Sequence, residues 1–261
     1  MVELDKIYCE DCLETLKRMD DNSIDLTVTS PPYDNLRNYG NTLDVWNFDK
    51  FTEIAKELYR VTKEGGVVVW VVGDATIKGS ETGSSFRQAL FFKEIGFNIY
   101  DTMIWTKNAI PSDPKCNRYW QGFEYMFVFS KGKPKTCNYL MEPCKNAGKP
   151  KIKDYGQKRK DGTNREDRWD TNRKIKDKKI KTNVWHFGPD VNNKTGHPAV
   201  FPIRLAEDHI SSWSNEGDII YDPFMGSGTV AKAARDLGRH YIGSELNPDY
   251  IIMAEERLGI L

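Results

Sequence analysis

The sequence has no apolar run long enough to cross a bilayer, and no basic-then-apolar leader at its start. These two absences predict a cytoplasmic protein that engages no membrane. It also lacks an overall charge: 38 Lys and Arg balance 38 Asp and Glu, so composition as a whole demands no charged partner. A cysteine framework is missing as well. Cys9 and Cys12 form one CxxC pair, but Cys116, Cys137 and Cys144 supply no second pair at zinc-like spacing. Neither a structural metal nor a disulfide scaffold is expected, and reduced thiols are the default in such a compartment.

The charge is unevenly distributed. Between Lys145 and Lys181 there are 15 Lys and Arg against six Asp and Glu, so that segment alone could hold a polyanion. Around it, from about Ser130 to Asn193, apolar periodicity fades, and Tyr139, Tyr155, Trp169 and Trp185 are scattered among charges. Taken alone, such a stretch reads either as a solvated insertion or as a lobe facing nucleic acid.

Elsewhere strands and helices alternate. Lys6 to Cys9 reads as a short strand, and Leu13, Leu16 and Met19 continue at helical spacing. Ile24 to Val28 is a β-branched strand. Phe51, Ile54, Leu58 and Val61 share one helical face ahead of Gly65-Gly66, and Val67 to Val72 reads as a strand buried on both faces. A helix over Phe86 to Glu94 precedes two strands, Phe97 to Thr106 and Tyr125 to Phe129, expected as an antiparallel pair at one sheet edge. After the basic segment come a helix from Ile203, a strand at Asp218 to Tyr221, a helix from Val230, a strand at Tyr241 to Glu245 and a last helix from Pro248. The alternation predicts a doubly wound α/β sheet.

Two strand exits carry the chemistry. The first is Thr29-Ser30-Pro31-Pro32-Tyr33. Its prolines stop the sheet and remove backbone donors, which leaves the Ser30 hydroxyl, the Ser30 and Pro31 carbonyls and the Tyr33 ring. Acceptors beside an aromatic face suit a planar ligand with an exocyclic amine, although an isolated SPPY is more often a plain turn. The second exit is Asp222-Pro223-Phe224-Met225-Gly226-Ser227-Gly228-Thr229. Glycines between a strand and a helix let backbone approach a ligand. The third glycine of a dinucleotide fingerprint and the lysine of a P-loop are both missing. Glu245 ends the next strand, where a carboxylate can accept both hydroxyls of a ribose. A glycine turn with a ribose acid and no phosphate group points to an adenosine cofactor without phosphates.

DPFMGSGT followed by SELNPDYI, with TSPPY near the amino terminus, resembles the amino-methyltransferases of DNA that modify cytosine N4 or adenine N6. The motif order resembles their permuted β-type group, and His197-Pro198-Ala199-x-Phe201-Pro202 is similar to the segment ahead of the cofactor loop in that group. The resemblance implies a mostly parallel, seven-stranded, circularly permuted methyltransferase sheet. Residues 1–130 would be the catalytic half, 131–195 a target-recognition insertion, and 196–261 the S-adenosylmethionine-binding half of the same domain. It implies catalytic roles for Ser30, Pro31, Pro32 and Tyr33. Asp222, Phe224, Gly226, Ser227, Gly228, Thr229 and Glu245 would hold the cofactor, with Asp11 and Cys12 beside its adenine edge.

Double-stranded DNA is the implied substrate, with base flipping and stacking on Tyr33. A cognate restriction endonuclease and a second copy of the chain are admitted as partners. Ser30 leans toward cytosine N4, with adenine N6 as the alternative. A protein or RNA amide methyltransferase and a non-catalytic DNA-binding protein are the readings from other classes.

Overall fold

The computed structural model describes residues 2–32, 46–107, 117–153, 158–163, 168–188 and 201–261. In chain order its elements are β1 Lys6–Cys9, α1 Cys12–Lys17, β2 Ile24–Thr29, α2 Phe48–Val61, β3 Thr62–Val72, the small hairpin β4 Thr76–Ile77 and β5 Ser80–Glu81, and α3 Ser84–Glu94. There follow β6 Asn98–Lys107, β7 Phe123–Ser130, β8 Met141–Pro143, β9 Pro150–Lys153, β10 Arg168–Lys174, β11 Lys178–Ile180 and β12 Val184–Phe187. The chain closes with α4 Ile203–Trp213, β13 Ile219–Asp222, α5 Thr229–Asp236, β14 His240–Glu245 and α6 Pro248–Leu258.

Two compact units result, Met1–Asn138 with Asn183–Leu261, and Tyr139–Thr182. The first is built on one sheet in the order β1-β14-β13-β2-β3-β7-β6-β12. Every neighbouring pair is parallel except the two that involve β7. From β2 the chain winds outward through β3, while β13, β14 and β1 lie on the other side. The order therefore reverses between β2 and β13, where doubly wound sheets open a crevice at the carboxyl ends of their strands.

Sequence patterning explains the layers. The helix α2 starts at Asn47, whose side chain accepts from the Lys50 backbone N–H at 2.9 Å. It buries Phe51, Ile54, Ala55, Leu58 and Val61 along one face. These residues join Leu13 and Leu16 of α1, Ala89 and Phe92 of α3, and Val68, Trp70 and Val72 of β3 in one core. The Phe51 ring meets Trp70 at 5.8 Å and Phe92 at 5.4 Å, both edge to face. By strand alternation Val67, Val69 and Val71 look to the opposite face. They too are buried, so this central strand reads as an unbroken apolar run. Each such side chain contributes about 1.5–3 kcal/mol of burial.

The expected doubly wound, mostly parallel sheet is present, with eight strands rather than seven. The additional strand is β12, which pairs in parallel with β6 through Val184↔Ile104 to Phe187↔Lys107. The pair β6 and β7 is antiparallel as expected, but β12 takes the edge position beyond it. Trp185 and Phe187 are buried while Val184 and His186 are exposed, a two-residue alternation hidden within the basic segment.

The boundaries of that segment shift accordingly. Lys131 and Lys135 pair through backbone with Gly65 and Gly66, and the Asn138 N–H donates to the Ser212 carbonyl at 2.8 Å. Both flanks of the 131–195 stretch thus belong to the first unit. The second unit, Tyr139–Thr182, contains the antiparallel pairs β8–β11 and β9–β10 and has no α-helix among its described residues.

Candidate functional site

The two chemical strand exits meet at the switch point. β2 and β13 are neighbours, in register at Leu26↔Ile220 and Thr27↔Tyr221. The last residue of each then bonds across the gap: the Thr29 hydroxyl donates to Asp222 Oδ1 at 2.6 Å. The same carboxylate accepts the Phe224 N–H at 3.0 Å, which turns the chain into the glycine loop. Asp222 is buried, and burial raises its carboxyl from 3.8 to about 7, against the opposing pull of the Thr29 hydroxyl and the Phe224 N–H.

The glycine loop has local reasons for its shape. Gly226 and Gly228 sit at φ 51° and 77°, the left-handed region that L side chains avoid. Gly228 is also the residue ahead of α5, and a Cβ there would lie 2.8 Å from the Ala254 Cβ on α6. Glu245, at the end of β14, closes the loop. Its Oε2 accepts the Gly226 N–H and its Oε1 the Asn247 N–H, each at 2.8 Å. Burial raises this carboxyl too, and the N–H groups act in the other direction.

On the far side, β1 runs beside β14 with Cys9 opposite Glu245. Asp11 caps α1 by accepting the Leu13 N–H at 2.9 Å, and Lys50 of α2 pairs with it at 2.9 Å. Cys12 is buried, and desolvation pushes its thiol up to about 12, so it is a neutral apolar wall rather than a nucleophile.

One pocket gathers most of the residues singled out by sequence: Asp11, Cys12, Ser30, Pro32, Asp222, Phe224, Gly226, Ser227, Thr229 and Glu245 line it. Pro31 is buried beside the pocket, and Gly228 is turned into α6 instead of the opening. The Thr229 hydroxyl accepts from Arg257 at 2.5 Å. Tyr33, His197, Pro198 and Ala199 lie outside the described residues.

Sequence reasoning missed Trp46, Lys50 and Tyr250, which also line the pocket. The Trp46 ring stands edge-on to Phe224 at 5.3 Å and 89°. Each of the three lies in or beside the first turn of a helix, and no spacing rule connects them to the motifs. Their clearest signal is an aromatic or a lysine beside an Asn N-cap.

The pocket wall carries several acceptor oxygens and one lysine. Asp222 and Glu245 form no ion pair among the described residues, whereas Asp11 has Lys50 and Glu10 has Arg18. The Ser227 hydroxyl is buried in the pocket wall without a hydrogen-bond partner among the described residues, a loss of about 1–3 kcal/mol that a ligand can recover.

A family profile described as DNA methylase matches residues 24–256. The chain is 56% identical over 248 residues to the orphan methyltransferase M.BamHII of Bacillus amyloliquefaciens, covering 91% of this chain and 89% of that relative. It is 30% identical over 262 residues to the type II methyltransferase M.HpaI of Haemophilus parainfluenzae, covering 97% and 74%. Among solved structures, the cytosine-N4-specific PvuII DNA methyltransferase superposes with a TM-score of 0.73 at 22% identity, covering 98% of this chain and 87% of that one. The M1.HpyAVI–SAM complex superposes at 0.64 with 26% identity, covering 97% and 98%.

Proposed function

The chain belongs to the N6/N4 DNA methylase family, and on that premise we propose that it transfers a methyl group from S-adenosylmethionine to the exocyclic amine of a base flipped out of duplex DNA, cytosine N4 first. The observation that carries this reading is the Thr29–Asp222 hydrogen bond. It ties the amine-acceptor loop to the glycine loop at the switch point, so both act on one pocket.

The residues present fit the cofactor. The buried Asp222 and the half-buried Glu245, which have no ion-pair partner among the described residues, favour a positively charged ligand, and the Ser227 hydroxyl offers a further hydrogen bond. Glu245 would accept the ribose hydroxyls, because its two backbone donors leave lone pairs free on both oxygens. Asp11, held by Lys50, would accept from the amine of the adenine ring, with Cys12 as its apolar floor. Phe224 and Trp46 offer aromatic edges and faces beside that ring. Asp222 would keep the glycine loop in place and balance positive charge. When bound, the sulfonium supplies an already activated methyl group.

The amine is the harder half of the reaction. Its lone pair is delocalised into the base, so it is a poor nucleophile. Ser30 and the Pro31 carbonyl would each accept one amino hydrogen, which favours the tetrahedral nitrogen that forms as the methyl arrives, and the methylated nitrogen would then release one of these protons to water. The protein's share is alignment and electrostatic stabilisation. A flipped base is required because the amine is out of reach in a duplex, and Tyr33 would stack on it.

A hydroxyl at Ser30 supports cytosine N4. Adenine N6 is the second reading, because either amine can be held by the same two acceptors. The excess of Lys and Arg from Lys145 to Lys181 supports a target-recognition role for residues 139–182 through binding to phosphate. No helix among the described residues is long and apolar enough to cross a membrane, and a cytoplasmic location is part of the proposal. A companion endonuclease and a homodimer extend it. Endonuclease challenge of DNA from an expressing host and light scattering read those two out.

The test of the reaction is tritium transfer from labelled S-adenosylmethionine to duplex DNA, RNA and protein side by side. Label in duplex DNA supports the proposal. Label in RNA or protein alone refutes it.

A further inference from the structure

We propose that Tyr119 is the side chain that enters the duplex where the flipped base leaves its stack. The inference rests on the reading of the substrate as duplex DNA. β7 is antiparallel to β3 and β6, with Tyr125 opposite Val72 and Phe123 opposite Thr106. The residues just before β7 therefore lie on the same edge of the sheet as Ser30 and the glycine loop. β7 is two strands from β2, about 10 Å at ordinary strand spacing.

On that edge Tyr119 is 101% exposed and makes no hydrogen bond or ring contact among the described residues. A tyrosine placed so contributes nothing to the core, and its ring is free to stack. The segment that carries it is nevertheless held at both ends. Arg118 donates to the Gly79 carbonyl at 2.7 Å and to the Thr76 hydroxyl at 3.2 Å, on the β4–β5 hairpin. On the other side the Lys107 N–H donates to the Gly122 carbonyl at 2.9 Å. An aromatic displayed on a tethered loop loses little freedom on binding. The hairpin tip beside it is Lys78-Gly79, and Lys78 is exposed, so a cation for phosphate accompanies the ring.

Extruding a base leaves a gap flanked by two unstacked neighbours. A flat side chain inserted there restores stacking on both and holds the extruded state. Tyr119 meets the requirements of place, shape and exposure. Of the pocket's aromatics, Trp46 and Phe224 pack against each other.

The test uses the purified full chain and the target sequence identified by sequencing DNA methylated in an expressing host. Tyr119→Ala should lower kcat/KM on the matched duplex by about 5- to 150-fold, the range expected for one missing base–aromatic stack. Cofactor affinity should be unchanged, and Tyr119→Phe should retain wild-type rates. A duplex whose target base is mispaired costs less to open, so Tyr119→Ala should approach wild-type rates on it. Wild-type rates for Tyr119→Ala on matched duplex would overturn the inference, as would an equal loss on matched and mispaired DNA. Failure of the wild-type protein to methylate any duplex would overturn the substrate reading and this inference with it. An active wild-type enzyme with an unaffected variant removes the inference alone.

Discussion

Replacing Asp222 by Asn isolates the electrostatics of the site. Burial holds the Asp222 carboxyl at about 7 against 3.8 unperturbed, so the folded chain keeps a proton that the unfolded chain has lost. This contribution to stability is fully present below about pH 4 and is lost as pH rises through 7. Each pH unit inside that window is worth about 1.4 kcal/mol. Between pH 5 and 8 the cost amounts to about 3 kcal/mol. An amide oxygen can still accept from the Thr29 hydroxyl and the Phe224 N–H, so Asp222→Asn keeps the tether and removes only the titration. Glu245 is raised as well but is present in both proteins and largely cancels in the comparison. Urea unfolding without cofactor, across this pH range, is the assay. The variant should gain on wild type by about 3 kcal/mol between pH 5 and pH 8. Cofactor affinity should show the opposite trend: the wild type gains affinity for the sulfonium as pH rises through 7, and the variant does not. Stability curves that stay parallel across the range would refute the buried-acid argument.

Three further outcomes are expected. Glu245→Ala should weaken cofactor binding roughly 10- to 100-fold, the effect of losing charge-assisted hydrogen bonds to two hydroxyls; unchanged affinity by calorimetry would remove the ribose role. Tyr33→Ala should abolish transfer and leave cofactor affinity intact, and near-normal turnover would contradict stacking of the flipped base. Neutralising several lysines between Lys151 and Lys181 should weaken DNA binding and reduce its salt dependence by about 0.9 log units per log salt for each phosphate that is no longer neutralised. An unaltered slope would return that segment to a solvated insertion.

Much of the first unit is legible because its signals are local. Val67 to Val72 is apolar throughout because β3 is covered on both faces, and α2 shows its buried stripe at helical spacing. The glycines at 226 and 228 announce backbone that other residues resist. What stays hidden depends on distant partners. The bond between Thr29 and Asp222 joins residues 193 apart, and no pattern within either motif shows it. Lys50 reads as an ordinary surface lysine in the first turn of a helix until α2 packs beside α1 and brings it to Asp11. β12 is masked by composition: four residues of alternating burial carry too little hydrophobicity to stand out against neighbouring lysines. The strand exists because β6 presents an open parallel edge, a fact of topology.

The central claim is that the acceptors after β2 hold an exocyclic amine of a DNA base while the loop after β13 holds the methyl donor. Its most direct test is to incubate the protein with isotopically labelled S-adenosylmethionine and duplex DNA, digest the DNA to nucleosides and determine their masses. The account predicts label in N4-methylcytosine, and label in N6-methyladenine would correct the base while keeping the amine. Unlabelled nucleosides from duplex DNA, or a label on ring carbon as 5-methylcytosine, would contradict it.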